Sequence, residues 1–159
     1  MKISQAKLVR YFQVIIVFGA ALACLVPLMG RIVLNGTPSV PANILWKTPS
    51  LSIGKGDYVM APARHEYIPP QYPYLTKRAL CLPGETLSFV EGSFLCDGIL
   101  LNTTKTETLT GAPLTPFQWR TGPVPEGFAF VGSDHPDGFD SRYLGLFPLE
   151  DLVRLEPLL

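Results

Sequence analysis

Two side chains in this sequence have the chemical types needed for covalent catalysis at a carbonyl. Ser39 lies in the run from Asn35 to Trp46, NGTPSVPANILW. Thr37, Pro38 and Pro41 surround it. Proline fixes φ and disfavours helix, so the serine is expected on an extended or turning segment, its hydroxyl held out on a stiff support. A serine hydroxyl is a poor nucleophile unless a neighbour removes its proton. Lys77 is the candidate base. To act at neutral pH its amine must be largely uncharged, which means lowering a pKa of about 10.4 by roughly three units, about 4 kcal/mol, through burial. Lys77 opens the run Lys77-Arg78-Ala79-Leu80-Cys81-Leu82. In a strand, Lys77, Ala79 and Cys81 share one face and Arg78 points to the other. Taken alone, a lysine at a strand edge is ordinarily a solvated surface charge, so the pairing needs support from the rest of the chain.

Other chemistries are less well served. No G-x-S-x-G elbow is present, which excludes the α/β-hydrolase arrangement. His135 with Asp134, Asp137 or Asp140 could in principle complete a Ser-His-Asp triad, but nothing in the sequence sets that loop against Ser39. His65 and His135 lack metal-ligand spacing, so no metal and no cofactor is expected. Thirteen basic and thirteen acidic side chains cancel. No Lys/Arg cluster follows the first ten residues, so the electrostatic footprint of a nucleic-acid binder is missing.

The elements that must position Ser39 and Lys77 follow from hydropathy and punctuation. With 159 residues, 16 prolines and 14 glycines, the chain has room for one modest domain and one special segment. That segment is N-terminal. No charge interrupts Val14 to Gly30, and with Tyr11 to Leu34 the run is long enough to cross a hydrocarbon core as a helix. Lys2, Lys7 and Arg10 precede it and only Arg31 follows closely, which puts the N-terminus in the cytoplasm. A cleaved secretory signal, with a lipoprotein-like Ala21-Leu22-Ala23-Cys24, is the rival reading. The apolar run continues past any such cut, which favours an anchor. The expected division is 1–34, cytoplasmic tip and transmembrane anchor, and 35–159, an extracytoplasmic β domain. In that compartment Cys81 and Cys96 form a candidate disulfide.

Beyond Leu34 no useful helical period appears. Short apolar, β-branched runs bounded by Gly, Pro, Asn and Asp predict a mainly β domain. Expected strands are Ile44 to Lys47, Tyr58 to Ala61, Lys77 to Leu82, Thr86 to Val90, Ser93 to Cys96, Phe128 to Ser133 and Leu152 to Leu155. Tyr67 to Tyr74 and Asn102 to Thr110 read as loops, either of which could line a substrate groove. Trp46, Phe117 and Trp119 suit either the lipid interface or the core.

Five blocks in order carry a resemblance: NGTPSVPANILW, then Gly56-Asp57-Tyr58-Val59, then Lys77 through Glu85, then Pro125 through Gly132, then Asp140-Ser141-Arg142-Tyr143-Leu144-Gly145. Together they resemble the ordered boxes of type I signal peptidases, most closely the compact TraF-type peptidases that mature conjugative pilins. The likeness spans nearly the whole chain, anchor included. It implies a signal-peptidase-like β domain behind one transmembrane helix, with Ser39 as nucleophile and Lys77 as general base. The backbone N–H of Ser39 and the hydroxyl of Thr37 would hold the oxyanion, each donor worth roughly 3 kcal/mol. Asp140 and Arg142 match a pair that supports the active-site floor.

Two positions depart from that pattern. Pro41-Ala42-Asn43 replaces a P-x-G turn, which asparagine can still make. Gly138 stands where many relatives have a serine bonded to the lysine, so either another hydroxyl or a water orients Lys77 or the site is less active than its relatives. The implied protein is a single-pass enzyme of the bacterial inner membrane with a periplasmic catalytic domain. It would act through an acyl-enzyme on a membrane-bound pilin precursor, by cleavage or by cyclisation. The alternatives are a general signal peptidase acting on exported preproteins and a non-catalytic envelope scaffold.

Overall fold

The apolar run that follows Arg10 forms one continuous helix. A computed structural model describes residues 5–49 and 52–159; Lys2 lies outside the described residues. Helix α1, Gln5–Met29, is 25 residues long, about 37 Å at 1.5 Å per residue. Within it Val9–Met29 is long and apolar enough to cross a membrane. Pro27 sits in its last turn, where a missing N–H is tolerated at membrane depth. The helix ends earlier than the apolar composition suggests. Gly30 and Arg31 form a turn, and Ile32–Leu34 becomes a strand, β1, in place of the outer end of the anchor. Apolar character cannot separate these two outcomes; pairing in a sheet decides for the strand. The chain divides into two units, Met1–Ile32 and Val33–Leu159.

The second unit is mainly β. Its strands are β2 Ile44–Lys47, β3 Tyr58–Pro62, β4 Tyr74–Cys81, β5 Thr86–Val90, β6 Ser93–Cys96, β7 Ile99–Thr103, β8 Gly122–Pro123, β9 Phe128–Gly132, β10 Phe147–Pro148 and β11 Val153–Pro157. One short helix, α2, covers Ser141–Leu144, and a 3₁₀ turn covers Leu149–Asp151. Seven strands form one sheet in the order β1-β2-β11-β3-β4-β9-β10, and four form another in the order β7-β6-β5-β8. Two-residue turns make the second sheet's hairpins. Glu91-Gly92 and Asp97-Gly98 all have positive φ, the conformation that matches the twist of the strands they join. The second of these turns leads into β7, so Asn102 and Thr103 are strand and not loop.

Strand β4 lies between β3 and β9, and its alternation decides the site. Lys77, Ala79 and Cys81 are buried while Arg78 is half-buried. Between Ala79 and Cys81 the register against β9 shifts by one residue. At this bulge Leu80 and Cys81 turn to a second core. Ala79 packs with Val59, Ala61, Ala129 and Val131; Cys81 packs with Leu87, Phe94, Val124 and Phe130. Alternation thus puts β4 in one core at Ala79, and the bulge hands its end to the other.

Cys81 and Cys96 are joined by a disulfide that ties the end of β4 to β6. With 15 residues separating the two cysteines, the loop-entropy argument gives about 3 kcal/mol of stabilisation. Cys81→Ala/Cys96→Ala is expected to lose about that much in equilibrium denaturation, and a reductant should bring the wild type to the same midpoint.

Candidate active site

The segment that carries Ser39 is held by its own first residue. The side-chain amide of Asn35 donates to the carbonyls of Val40 at 3.1 Å and Ala42 at 3.0 Å. Residues 36–42 therefore close into a loop over one side chain. Pro38 and Pro41 stiffen it from within. Ser39 is half-buried, next to buried Val40. The hydroxyl of Thr37 donates to Ser39 Oγ at 3.0 Å.

Lys77 approaches from below. It pairs with Val59 of β3 and is only 2% exposed. Its Nζ lies 3.1 Å from Ser39 Oγ. Burial pulls the amine from 10.5 down to about 8; the Asp140 carboxylate opposes this and the Arg142 guanidinium adds to it. As an ammonium, Lys77 donates to Ser39 Oγ. As a free amine it can accept the hydroxyl proton across the same 3.1 Å contact, which is the geometry general-base activation requires.

The floor comes from the block after β9. Asp140 caps α2, accepting from the Arg142 backbone N–H at 3.1 Å. Its carboxylate also takes Arg142 Nε at 2.8 Å and Nη2 at 2.9 Å. The remaining guanidinium donors go to the carbonyls of Thr103, Pro136 and Gly138, so all five are satisfied. Both charges are essentially dry, at 0% and 1% exposure. Such a pair is costly to break because either survivor is left as an unpaired buried charge.

The loop of His135 does reach Ser39, which sequence alone did not indicate, but it does so through backbone. The Asp134 amide donates to the Ser39 carbonyl at 2.8 Å. The three acids that could have served a triad are engaged elsewhere. Asp134 pairs with Arg78, Asp137 with Lys105 and Asp140 with Arg142. His135 Nδ1 accepts from the Asp137 amide.

Gly138 has a steric reason. A Cβ there would overlap the Cβ and Oγ of Ser133, so no side chain fits while Ser133 is present. The hydroxyl in that space belongs to Ser133. It donates to the Ser39 carbonyl at 2.9 Å and not to Lys77. Asn35 and Ser133 were not singled out from sequence, although Asn35 opens the very block that carries Ser39.

A cavity of about 410 Å³ is lined by Tyr67, Lys105, Leu109, Leu114, Phe139 and Tyr143 and reaches Gly138, but neither Ser39 nor Lys77 lines it. Both segments read as groove-lining loops contribute to it. Phe117 and Trp119 pack on the second core, and Trp119 Nε1 donates to the Leu87 carbonyl. For these two the core reading holds. Trp46 is half-buried in β2. Cys81, Glu85 and Cys96 bring donor atoms within 4.8 Å of one another, but the disulfide leaves no thiolate to bind an ion.

A relative named "Conjugal transfer protein TraF" from Agrobacterium fabrum (strain C58 / ATCC 33970) is 29% identical, with 84% of each chain covered. A crystal structure of a signal peptidase I from Enterococcus faecalis V583 is 27% identical, covering 69% of this chain and 99% of that one with a TM-score of 0.39. The family model described as "Signal peptidase, peptidase S26" matches residues 7–156. With nearly the whole length matched, this chain belongs to the peptidase S26 signal peptidase family.

Proposed function

We propose that helix α1 anchors this chain in the bacterial inner membrane, N-terminus in the cytoplasm, and that the β domain after it acts in the periplasm as a Ser-Lys endopeptidase on a conjugative pilin precursor. One observation carries this reading: a half-buried serine hydroxyl 3.1 Å from a lysine amine whose pKa burial has lowered to about 8. Neutral Lys77 takes the Ser39 proton as Oγ attacks the scissile carbonyl carbon. The backbone N–H of Ser39 and the hydroxyl of Thr37 receive the oxyanion. The Lys77 ammonium then protonates the leaving amine, and the C–N bond breaks to leave an acyl-enzyme on Ser39. Water releases a linear product; an amine of the substrate itself releases a ring.

Topology rests on charge and redox compartment. Lys7 and Arg10 stand before the apolar span and Arg31 alone stands close behind it. The disulfide fits an oxidising compartment. The name of the Agrobacterium relative supports a role in conjugal transfer, and the pilin substrate rests on the resemblance to TraF-type peptidases. The family match favours a second reading, a general signal peptidase for exported preproteins. A scaffold, by contrast, has no use for a buried, easily deprotonated lysine beside a serine.

Intact mass spectrometry of the pilin precursor from the same genetic system tests the proposal, after co-expression in membranes with wild type or Ser39→Ala. The precursor is expected to lose a peptide with wild type alone. A further deficit of one water would mark ring closure. A precursor unchanged in both strains would overturn the pilin substrate, and processing by Ser39→Ala would overturn the nucleophile.

A further inference from the structure

We infer that Ser133 is a positioning residue for the nucleophile, and that Gly138 is bare because the Ser133 side chain fills its space. This rests on the reading of Ser39 as the attacking group. Ser133 is 2% exposed and every polar group it has is committed. Its N–H donates to Asp140 Oδ2 at 2.8 Å. Its carbonyl accepts from Asn102 Nδ2 at 3.1 Å. Its Oγ accepts from the His135 N–H at 3.2 Å and donates to the Ser39 carbonyl at 2.9 Å. The next amide, of Asp134, donates to that same carbonyl at 2.8 Å.

The direction of these bonds gives the residue its role. The Asp140–Arg142 pair is fixed by its own burial and five-donor saturation. Ser133 hangs from it by a charge-assisted bond and in turn grips the peptide unit immediately after Ser39 Cα. Ser39 is only partly buried, and its loop is otherwise tied mainly through Asn35. A second, rigid attachment at its carbonyl fixes where Oγ stands relative to Lys77 and to an incoming carbonyl. A small misplacement at that point is enough to slow attack strongly. Space is allocated to match: a Cβ at 138 and the Ser133 side chain cannot coexist. One hydroxyl, not two, is built into this floor.

The test uses the full-length protein in detergent micelles and p-nitrophenyl acetate, a small activated ester that needs no peptide recognition. Its acetyl group transfers to Ser39 Oγ, nitrophenolate leaves, and the serine proton goes to Lys77. Wild type is expected to show a nitrophenolate burst that Ser39→Ala lacks. Ser133→Ala is expected to lower the acylation rate constant about tenfold, the loss of one buried hydrogen bond expressed as rate. The concentration of ester giving half-maximal rate should stay unchanged, since the ester does not touch Ser133. The exchange Ser133→Gly/Gly138→Ser restores a hydroxyl to the same space from the other side and is expected to acylate faster than Ser133→Gly alone.

A wild-type rate in Ser133→Ala, or an exchange variant no faster than Ser133→Gly, would overturn the inference. The exchange comparison decides the matter even if Ser133→Ala folds poorly. Absence of a Ser39-dependent burst in wild type would instead overturn the peptidase reading and this inference with it.

Discussion

Lys77→Met is expected to leave a folded protein that no longer processes substrate and is more stable than wild type at neutral pH. The activity half follows from loss of the base: without it the Ser39 hydroxyl keeps its proton, and rate falls about 10³-fold. The stability half follows from burial. Folding takes the amine from 10.5 to about 8, so below pH 8 the folded state carries a buried charge that costs about 3 kcal/mol. Between about 8 and 10.5 the unfolded chain holds the extra proton and the folded one does not. The Lys77 contribution to stability therefore rises with pH across that window, and the penalty is complete below it. Methionine has similar length and no charge, so it removes both the penalty and this pH dependence. Thermal melts at pH 7 should show a rise in Tm of about 5–10 °C. Such a gain at the cost of activity is common where a site holds a strained or desolvated group. An unchanged or lower Tm at pH 7 would mean that burial imposes no penalty on the Lys77 ammonium.

Asp140→Asn is expected to be the most destabilising single change in the β domain. Asparagine keeps the shape of the carboxylate but leaves Arg142, 1% exposed, as a buried cation without its counter-charge. Breaking one side of such a pair costs about 4 kcal/mol, a large share of a typical domain's total. Urea denaturation should register this as a lower midpoint with little change in slope. The same change reaches Lys77 by another route. Asp140 is the charge that holds the Lys77 pKa up against burial. In whatever fraction folds, the acid limb of the rate profile should move to lower pH. Replacing Asp140 and Arg142 together by apolar residues should cost less than Asp140→Asn alone, because no unpaired charge remains. Equal stability of Asp140→Asn and wild type would contradict the role given to this pair.

The residues proposed to carry this chemistry were legible because each leaves a local mark. Ser39 stands between prolines, and Lys77 opens a run whose alternation buries it with Ala79 while Arg78 turns away to pair with Asp134. Strands bounded by Gly, Asp or Pro, such as Thr86–Val90 and Ser93–Cys96, carry both their periodicity and their turns in the chain itself. What stayed hidden depends on distant partners. Strand β7 follows an Asp-Gly turn, yet its Asn102-Thr103 end reads as loop until β6 pairs with it. Helix α2 has four residues and so no period to detect. The bulge at Leu80 comes from matching β4 to β9. Ser133 reads as the end of a strand and Gly138 as a departure from the family pattern; only the fold makes them compete for one space. Asn35 is the exception: its place at the head of the Ser39 loop was visible, but its bonds to Val40 and Ala42 were not.

The central claim is that Ser39 is acylated with Lys77 as its base. Its most direct measurement is the acylation of wild type by p-nitrophenyl acetate from about pH 6 to 10, quenched and mapped by peptide mass spectrometry. The account predicts an acetyl group on Ser39, formed at a rate that climbs with pH and reaches half its maximum near 8, where burial has set the amine. An adduct on Lys77 or elsewhere, or a rate at Ser39 that is indifferent to pH through that range, would contradict it.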